Sequence, residues 1–405
     1  MSEISLHTSI HSLLTATPAI SSVFIKYGFT QFTDSFFVKK IGPFLKLETF
    51  LRYNNINAED FIRECNDILK LQKNIDTADY STISGSTLFA LLPCGLKNPL
   101  DQAITSFMQQ NNTPLFNYIV EGNVNHELSY YPYINSIDSV EELPEVIISS
   151  DLNSFYHHRF LNFLAKKDTF VNANTAMNPR FESIGYADPF NTFTMFSANP
   201  LVIVHAKNSS TVVDTPQSWE MLFNDCYHKS IAMRGDNDFF CSGVLVPLYK
   251  MFGIDNVLHL ASNVCTGLHP SQMIKMIDSS VKDIPPLYIM PLFFAQKIKN
   301  IDRVEIIYPQ EGALISPVQL LIKKSAADKT AFITDFLLGR ELQQHCANNF
   351  FPSFHPEVTN CIPDTTPLYW VGWNFIYCND IGQIKETLRI KFTEEFLRTG
   401  KRECV

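Results

Sequence analysis

The stretch STLFALLPCGLKNPLDQAITSF, residues 86–107, contains an apolar run, a break and an amphipathic pattern in direct succession. Residues 87–92 form the apolar run, which is typical of a strand covered on both faces in a parallel sheet. Pro93 and Gly95 end it. Apolar side chains then recur with helical spacing, so one face of a helix is expected to pack back on the sheet. The stretch predicts an α/β fold.

The turn of this unit is a candidate ligand site, because ligands of open α/β sheets bind beyond the carboxyl ends of the strands. Asn98 is the predicted N-cap of the helix, with Pro99 at the first helical position. Cys94, Gly95 and the backbone N–H groups ahead of Asn98 would then line the crevice. Lys97 would meet an anion there or simply be solvated.

Composition excludes some classes of protein. The chain has 405 residues, 45% of them hydrophobic, which is enough for two or three cores. The net charge of -9 and the absence of a Lys/Arg cluster argue against nucleic-acid binding. No apolar run is long enough for a membrane-spanning helix.

The compartment expected from the sequence is the cytoplasm. The N-terminus lacks the basic and apolar regions of a secretory signal. The nine cysteines are scattered, odd in number and form no C-x-x-C pair, which is typical of reduced thiols.

Residues 1–75 are predicted to form a small all-helical domain, followed by a polar linker at 76–84. Thr17 and Pro18 begin one predicted helix, and further helices are expected near 47–53 and 57–71.

A resemblance to a known domain is carried by three segments of this region: TPAISSVFIKYGF (17–29), VKKIGPFLKLETFLRYNNI (38–56) and NAEDFIRECNDIL (57–69). They resemble the small N-terminal helical domain of iron–sulfur cluster repair proteins and of hybrid-cluster-associated redox proteins. In the redox members, cysteines follow the Gly-Phe pair, whereas Thr30 and Gln31 follow it here. We therefore expect a module for packing or for a protein partner.

The remaining chain alternates strands and helices. Strands are predicted at 115–120 and 145–149, with a helix from about residue 154. A second strand-turn-helix unit follows at 230–252, although Pro247 falls inside its helix. Another strand and helix are predicted at 284–300, and helices at 330–348 and from about 381.

Two long extended stretches, 193–207 and 304–324, bracket the middle of the chain. They predict two α/β lobes joined by paired hinge crossings. The predicted lobe I comprises residues 85–198 and 318–405, and the predicted lobe II comprises residues 199–317.

Three segments carry a second resemblance: PQSWEMLFND (216–225), EGALISPVQLLIKKSA (311–326) and AFITDFLLGRELQQ (331–344). In order and spacing they resemble type II solute-binding proteins of ABC transporters, in particular the ferric-iron and thiamine-like family. The resemblance covers residues 85–375 and implies a two-lobed periplasmic-binding-protein fold.

The iron site of that family is not carried over. Iron-binding members use neighbouring tyrosines from the lobe junction. Tyr130, Tyr131 and Tyr133 are close together here, but they precede the third predicted strand and do not fall at the matching place.

Further candidate ligand-binding residues follow other predicted strands. Asp151 and Asn153 end the third strand of lobe I. In lobe II the candidates are Arg234, Asp236, Asn237, Cys241 and Met290. The polar turn at 234–238 would bind a polar or cationic ligand or be an ordinary solvated turn. Met290 belongs to the cleft wall or to the core.

Cys94 and Cys241 occupy equivalent strand-to-helix turns in the two lobes. As thiolates facing each other they would hold a soft metal or a metallocofactor. The alternative is that each is a small buried residue, because free cysteine is among the most buried residue types. The cofactor remains open.

No nucleophile elbow, P-loop, dinucleotide fingerprint or His-Glu-x-x-His motif is present. Their absence argues against a common enzyme class. The resemblance to solute-binding proteins implies that the protein, expected in the cytoplasm, encloses a small polar metabolite, metal or metallocofactor by hinge closure. Two alternatives stay open: an enzyme on the same fold, resembling the thiamine-pyrimidine synthases, and a partner-binding scaffold.

Overall fold

Two long strands run through the centre of the molecule and belong to both halves of one mixed sheet. The structure is a computed structural model that describes residues 4–71, 87–109, 114, 116–122, 131–165, 168–235 and 239–399. The strands are β1 (Leu88–Leu92), β2 (Tyr118–Gly122), β3 (Val146–Ser150), β4 (Phe170–Val171), β5 (Thr194–Ala206), β6 (Ile231–Arg234), β7 (Val264–Leu268), β8 (Leu287–Pro291), β9 (Val304–Ile307), β10 (Ala313–Lys323) and β11 (Leu368–Tyr369).

The helices of the N-terminal domain are α1 (Ile10–Ala16), α2 (Ser21–Lys26), α3 (Ser35–Ile41), α4 (Leu47–Tyr53) and α5 (Ala58–Leu71). The helices that accompany the sheet are α6 (Cys94–Met108), α7 (Tyr131–Ile134), α8 (Pro179–Ser183), α9 (Ser242–Asn263), α10 (Pro270–Asp278), α11 (Leu292–Ala295), α12 (Ala327–Leu338), α13 (Arg340–Asn348), α14 (Trp373–Cys378) and α15 (Ile381–Arg398). None of the described helices combines the length and apolar composition needed to span a bilayer.

The sheet repeats one strand order twice. In lobe I the order is β2-β1-β3-β10-β5, with β1 parallel to β2 and β3, and β10 antiparallel to β3. In lobe II, β6 is parallel to β7 and β8, and β8 is antiparallel to β5. The long strand β5 pairs with β10 through residues 194–201 and with β8 through residues 201–205, so it passes from one lobe to the other. The α/β fold with paired crossings is confirmed.

The buried runs explain this arrangement. Every residue of β1, β3 and β10 is buried, because helices cover both faces of the sheet. The predicted strand at 115–120 is observed slightly later, at β2, and residue 115 lies outside the described residues.

The predicted N-cap at Asn98 is wrong. α6 begins at Cys94, one turn earlier, with Pro93 as its N-cap. The Leu96 N–H donates to the Pro93 carbonyl at 2.8 Å, which starts the helix directly at the end of β1. Pro99 lies inside the helix, where it has no N–H to donate to the Gly95 carbonyl.

The helix of lobe II also differs from its prediction. α9 begins at Ser242 and continues to Asn263, with Pro247 inside it. The predicted end near residue 252 coincides with a break, since Gly253 has a φ of +80° in the left-handed region.

Two predicted helices have other forms. The segment after residue 154 folds as a 3-10 turn, Ser154–Tyr156, and a π-helical turn, Phe160–Leu164. The helix at 330–348 is two helices, α12 and α13, because Gly339 is extended between them.

The N-terminal domain has its own core. The predicted helices near 47–53 and 57–71 are confirmed as α4 and α5. Phe24 packs edge-on against Phe61 and lies against Phe50, and all three are fully buried. The sequence did not predict α1 and α3. The predicted linker at 76–84 lies outside the described residues.

The last helix contacts both lobes. Lys385 in α15 donates a hydrogen bond to the Leu152 carbonyl of lobe I at 2.6 Å. Near the other end of the helix, Glu395 accepts a hydrogen bond from Ser262 of α9 at 2.9 Å. The exact division of the chain between the two lobes stays a prediction.

Candidate functional site

Asp151 lies at the carboxyl end of β3 and faces the other lobe. Its φ of +65° turns the chain sharply, a conformation that Asp tolerates better than most residues. The Asp151 N–H donates to the Pro317 carbonyl at 2.9 Å, and its carboxylate accepts a short hydrogen bond from the Ser316 hydroxyl. Strand β10 therefore fixes the position of this carboxylate.

Arg234 ends β6 in lobe II and reaches across to lobe I. Its Nη1 atom lies 3.6 Å from Asp151 Oδ2 and 3.6 Å from Cys241 Sγ. Burial opposes its charge, but Cys241 and Asp151 hold the pKa of Arg234 above its ordinary value. The guanidinium is therefore a fixed positive charge between the lobes.

Cys241 is the N-cap of α9 and is buried. Burial raises the pKa of its thiol, and the favourable effect of Arg234 does not cancel this. Its sulfur accepts a hydrogen bond from Arg234 Nη1 at 3.6 Å.

Gly243 lets the start of α9 approach lobe I. A Cβ at this position would lie 2.9 Å from Asp151 Oδ1 and 3.5 Å from Cys241 Sγ. The Asp151 carboxylate thus lies at the N-terminus of the first helical segment of α9, which runs to the break at Gly253, and the helix dipole stabilises a negative charge there.

A second contact joins the lobes at the start of α6. A Cβ at Gly95 would lie 2.6 Å from the ring of Phe293, which follows β8 in lobe II. Phe293 is buried against Leu96 and Leu100 of the same helix. The neighbouring Cys94 is exposed, and it contributes to the raised pKa of Arg234. The two predicted cysteines therefore both lie within electrostatic range of one guanidinium.

The sequence reasoning missed Lys385 as a site residue. Burial lowers the pKa of its ammonium, while Asp151 and Cys241 act against that change. A signal was present: Lys385 follows Ile381 by four residues and precedes Leu388 by three, so it lies on the apolar face of α15. A lysine on such a face needs a partner.

His269 lies near Arg234, and in the sequence its spacing from Cys265 is a weak signal for a metal ligand. Burial and the charge of Arg234 lower the pKa of its imidazole. Its Nδ1 accepts a hydrogen bond from the Ser271 N–H at 3.2 Å and so caps α10.

The family model that describes bacterial extracellular solute-binding proteins matches residues 141–379. The chain belongs to this family. The match spans β3, both crossing strands and all of lobe II, and it confirms the resemblance that the segments at 216–344 carry.

Solved structures of periplasmic binding proteins share the fold. The similar structures include periplasmic binding protein P5PA, with a TM-score of 0.55, 12% identity and coverage of 77% of this chain and 99% of that chain. Apo ferric ion-binding protein A of Pasteurella haemolytica has a TM-score of 0.55, 11% identity and coverage of 78% and 98%. AfuA of Actinobacillus pleuropneumoniae, with fructose-6-phosphate bound, has a TM-score of 0.54, 13% identity and coverage of 77% and 98%.

The N-terminal domain has a separate match. Residues 4–62 match the model of a domain of unknown function. None of the curated proteins matches the chain. A protein partner for this domain stays a prediction.

Several predicted site residues of this solute-binding fold have structural positions. The Asn153 side chain accepts a hydrogen bond from the Phe155 N–H at 2.9 Å and donates to the Ser150 carbonyl at 3.0 Å, so it shapes the turn after β3. Met290 is fully buried in β8 and belongs to the core.

The other predicted residues are placed as follows. Lys97 is half-buried and Asn98 is exposed in α6. Asp236, Asn237 and the adjacent Asp238 lie outside the described residues. Cys94, Gly95, Asp151, Arg234 and Cys241 lie near one another where β1, β3 and β6 end, and their role as ligand contacts stays a prediction.

A metal site at the two cysteines has little support in the described residues. No group of three or more His, Cys, Asp or Glu side chains there has the arrangement of a metal site. The Arg234 guanidinium also lies beside Cys241, and a fixed positive charge disfavours a cation in the same space.

Proposed function

We propose that this protein binds a small anionic solute between its two lobes, with Arg234 as the principal contact. The observation that supports the proposal most strongly is the position of the guanidinium. It has five N–H donors, and within the described residues its contacts are with Asp151 and Cys241 through Nη1. Donors therefore remain for a carboxylate or phosphate, which arginine binds in a two-pronged geometry.

The surrounding charges favour an anion. Arg234 and Lys385 are two cationic groups, and the charge of the Asp151 carboxylate acts on both of them. The N-terminal ends of α6 and α9 also lie at the junction. Helix N-termini attract negative charge through their unpaired N–H groups.

We also propose that the lobes close over the solute. Strands β5 and β10 are the continuous connections on which such a movement would turn. The two tight contacts, Gly95 with Phe293 and Gly243 with Asp151, join residues of opposite lobes and would form on closure.

The cytoplasm is the compartment that we propose. Eight cysteines lie in the described residues, and all eight are free. Unpaired thiols in this number are typical of a reducing compartment.

The proposal is tested by melting the full chain with inorganic phosphate, fructose 6-phosphate and ferric citrate. Fructose 6-phosphate is included because AfuA has it bound, and ferric ion because of the ferric ion-binding relatives. We expect an anion to raise the melting temperature of the parent, and the Arg234→Gln substitution to abolish that rise. The exposed Arg303→Gln is the matched control. A rise that survives Arg234→Gln, or a response to none of the three probes, would contradict the proposal.

A further inference from the structure

A cavity lies between the N-terminal domain and lobe I. Its volume is about 580 Å³. Residues 43–46 of the N-terminal domain form one wall, and the segments around β1, β2, β3 and β10 form the others. The residues that line it include the aromatic Phe44, Phe116 and Phe332 and the charged Lys46, Glu141 and Lys323.

The walls of this cavity are held in place by specific contacts. Arg52 of α4 donates from Nε to the Ser136 carbonyl at 2.5 Å and lies 2.7 Å from Asp138. The Phe44 ring stacks on the ring of Phe89 in β1, with 3.7 Å between the ring centroids. The N-terminal domain is therefore docked on lobe I, and the cavity is a fixed feature of that junction.

Two lysines enter the cavity without a close partner. The Lys323 side chain is 7% exposed, and its single ion partner in the described part of the chain is Glu141, 3.9 Å away and 76% exposed. Lys46 is half-buried and makes no hydrogen bond through its ammonium group within the same residues. Burial lowers the pKa of both ammonium groups. The charge of Glu142 opposes this change at Lys46, and the charges of Glu141 and Glu145 oppose it at Lys323, where Lys46 and Lys329 lower the pKa further.

The other carboxylates of the cavity are already paired. Glu142 accepts a short hydrogen bond from Thr49 and lies 3.2 Å from Arg52. Glu145 forms a short ion pair with Lys329. Three lysines and three glutamates line the cavity, and Lys46 and Lys323 are the two lysines that have no ion partner closer than 3.9 Å among the described residues. A buried ammonium group without a close counter-charge is costly, and an anion between the two lysines would remove that cost.

We propose that this cavity binds a small organic anion, with its phosphate or carboxylate group between Lys46 and Lys323 and its apolar part against Phe44 and Phe116. The site is separate from the lobe junction and does not depend on the function proposed there. Ligand binding at this place would also strengthen the junction between the N-terminal domain and lobe I, because both contribute a lysine.

The test is calorimetric titration of the full chain carrying Arg234→Gln, so that the lobe junction does not contribute. The probes are phenyl phosphate, benzoate and inorganic phosphate. We expect phenyl phosphate or benzoate to bind once per chain, and more tightly than inorganic phosphate. Lys46→Met and Lys323→Met should each weaken that binding at least tenfold, since a charged hydrogen bond is lost.

The matched control is Lys207→Met, an exposed lysine of lobe II that pairs with Glu305 at 3.2 Å. It should leave the titration unchanged. Methionine keeps the length of the lysine stem, and circular dichroism and melting of each variant establish that it is folded. The proposal would be overturned if the Arg234→Gln chain bound none of the probes. It would also be overturned if the folded Lys46→Met and Lys323→Met variants of that chain bound the probe as tightly as the chain without these substitutions.

Discussion

The Asp151 carboxylate of lobe I lies 3.6 Å from the Arg234 guanidinium of lobe II. The Asp151 side chain is 5% exposed and that of Arg234 is 18% exposed, so water screens this ion pair only partly. The pair joins the lobes, and the contacts of the guanidinium within the described residues involve its Nη1 atom. The same arginine can therefore contact a solute and hold the lobes together.

Asp151→Asn tests the contribution of this pair to stability. The substitution keeps an oxygen for the Ser316 hydroxyl and removes the negative charge beside Arg234. We expect the free energy of unfolding, measured with urea, to fall by about 1–3 kcal/mol, because a partly buried cation loses its counter-charge. Asp225→Asn, at an exposed position of lobe II, is the control. Equal stability of the two variants would contradict the account.

Gly95→Ala tests the contact between α6 and lobe II. A Cβ there would lie 2.6 Å from the Phe293 ring, so either the ring or the lobe must move. We expect small-angle scattering to give a larger radius of gyration for Gly95→Ala than for the parent, with unchanged circular dichroism. Phe293→Ala added to Gly95→Ala should restore the parent value, because it creates room. An unchanged radius in the single variant would argue against interlobe contact at this point.

Thiol labelling distinguishes the two junction cysteines. Cys94 is exposed, whereas Cys241 is buried and burial raises the pKa of its thiol. Iodoacetamide at neutral pH, followed by peptide mapping, should modify Cys94 of the folded protein and leave Cys241 unmodified. An anion that raises the melting temperature should also slow labelling of Cys94. Equal labelling of both cysteines in the folded chain would be inconsistent with the structure.

The junction between His157 and α15 should make the protein sensitive to acid. Burial and the nearby charge of Lys385 lower the pKa of His157 to about 4, so the folded state binds its proton less readily than the unfolded state. Stability should therefore fall as the pH drops from about 6.5 to 4, by at most about 3 kcal/mol from this group. A Cβ at Gly382 of α15 would lie 3.0 Å from the His157 ring, so a proton there affects the docking of that helix.

Urea unfolding at pH 7 and pH 4.5 measures this effect. His157→Gln should show a smaller loss of stability between the two pH values than the parent. The exposed His228→Gln should behave as the parent does. If His157→Gln loses as much stability as the parent, the acid sensitivity has another origin.

The sequence predicted those parts of the fold that depend on apolar patterning. The strands β1, β3, β5 and β10 can be recognised in the sequence as continuous apolar runs, because both faces of each strand are covered. The first residues of helices were harder to predict from the sequence. Capping residues and prolines are local signals, and tertiary contacts can override them. At α6 the chain leaves β1 directly into a helix, and Pro99 is accommodated inside it.

The candidate site was predictable to the level of the strand ends. Asp151, Arg234 and the two cysteines follow strands, and the repeated strand order brings those ends together. Lys385 was missed because it comes from a helix distant in the chain, whose packing across both lobes no local pattern predicts. Met290 and Asn153 also follow the strand-end rule, but the core and the local turn use their side chains.

Native mass spectrometry of the protein purified from cells without oxygen tests the central claim most directly. The account predicts one small anion per chain in the parent and in Arg303→Gln, and none in Arg234→Gln. Retention of the same molecule by Arg234→Gln, or a bound cation in place of an anion, would contradict the assignment of Arg234 as the contact for an anionic solute.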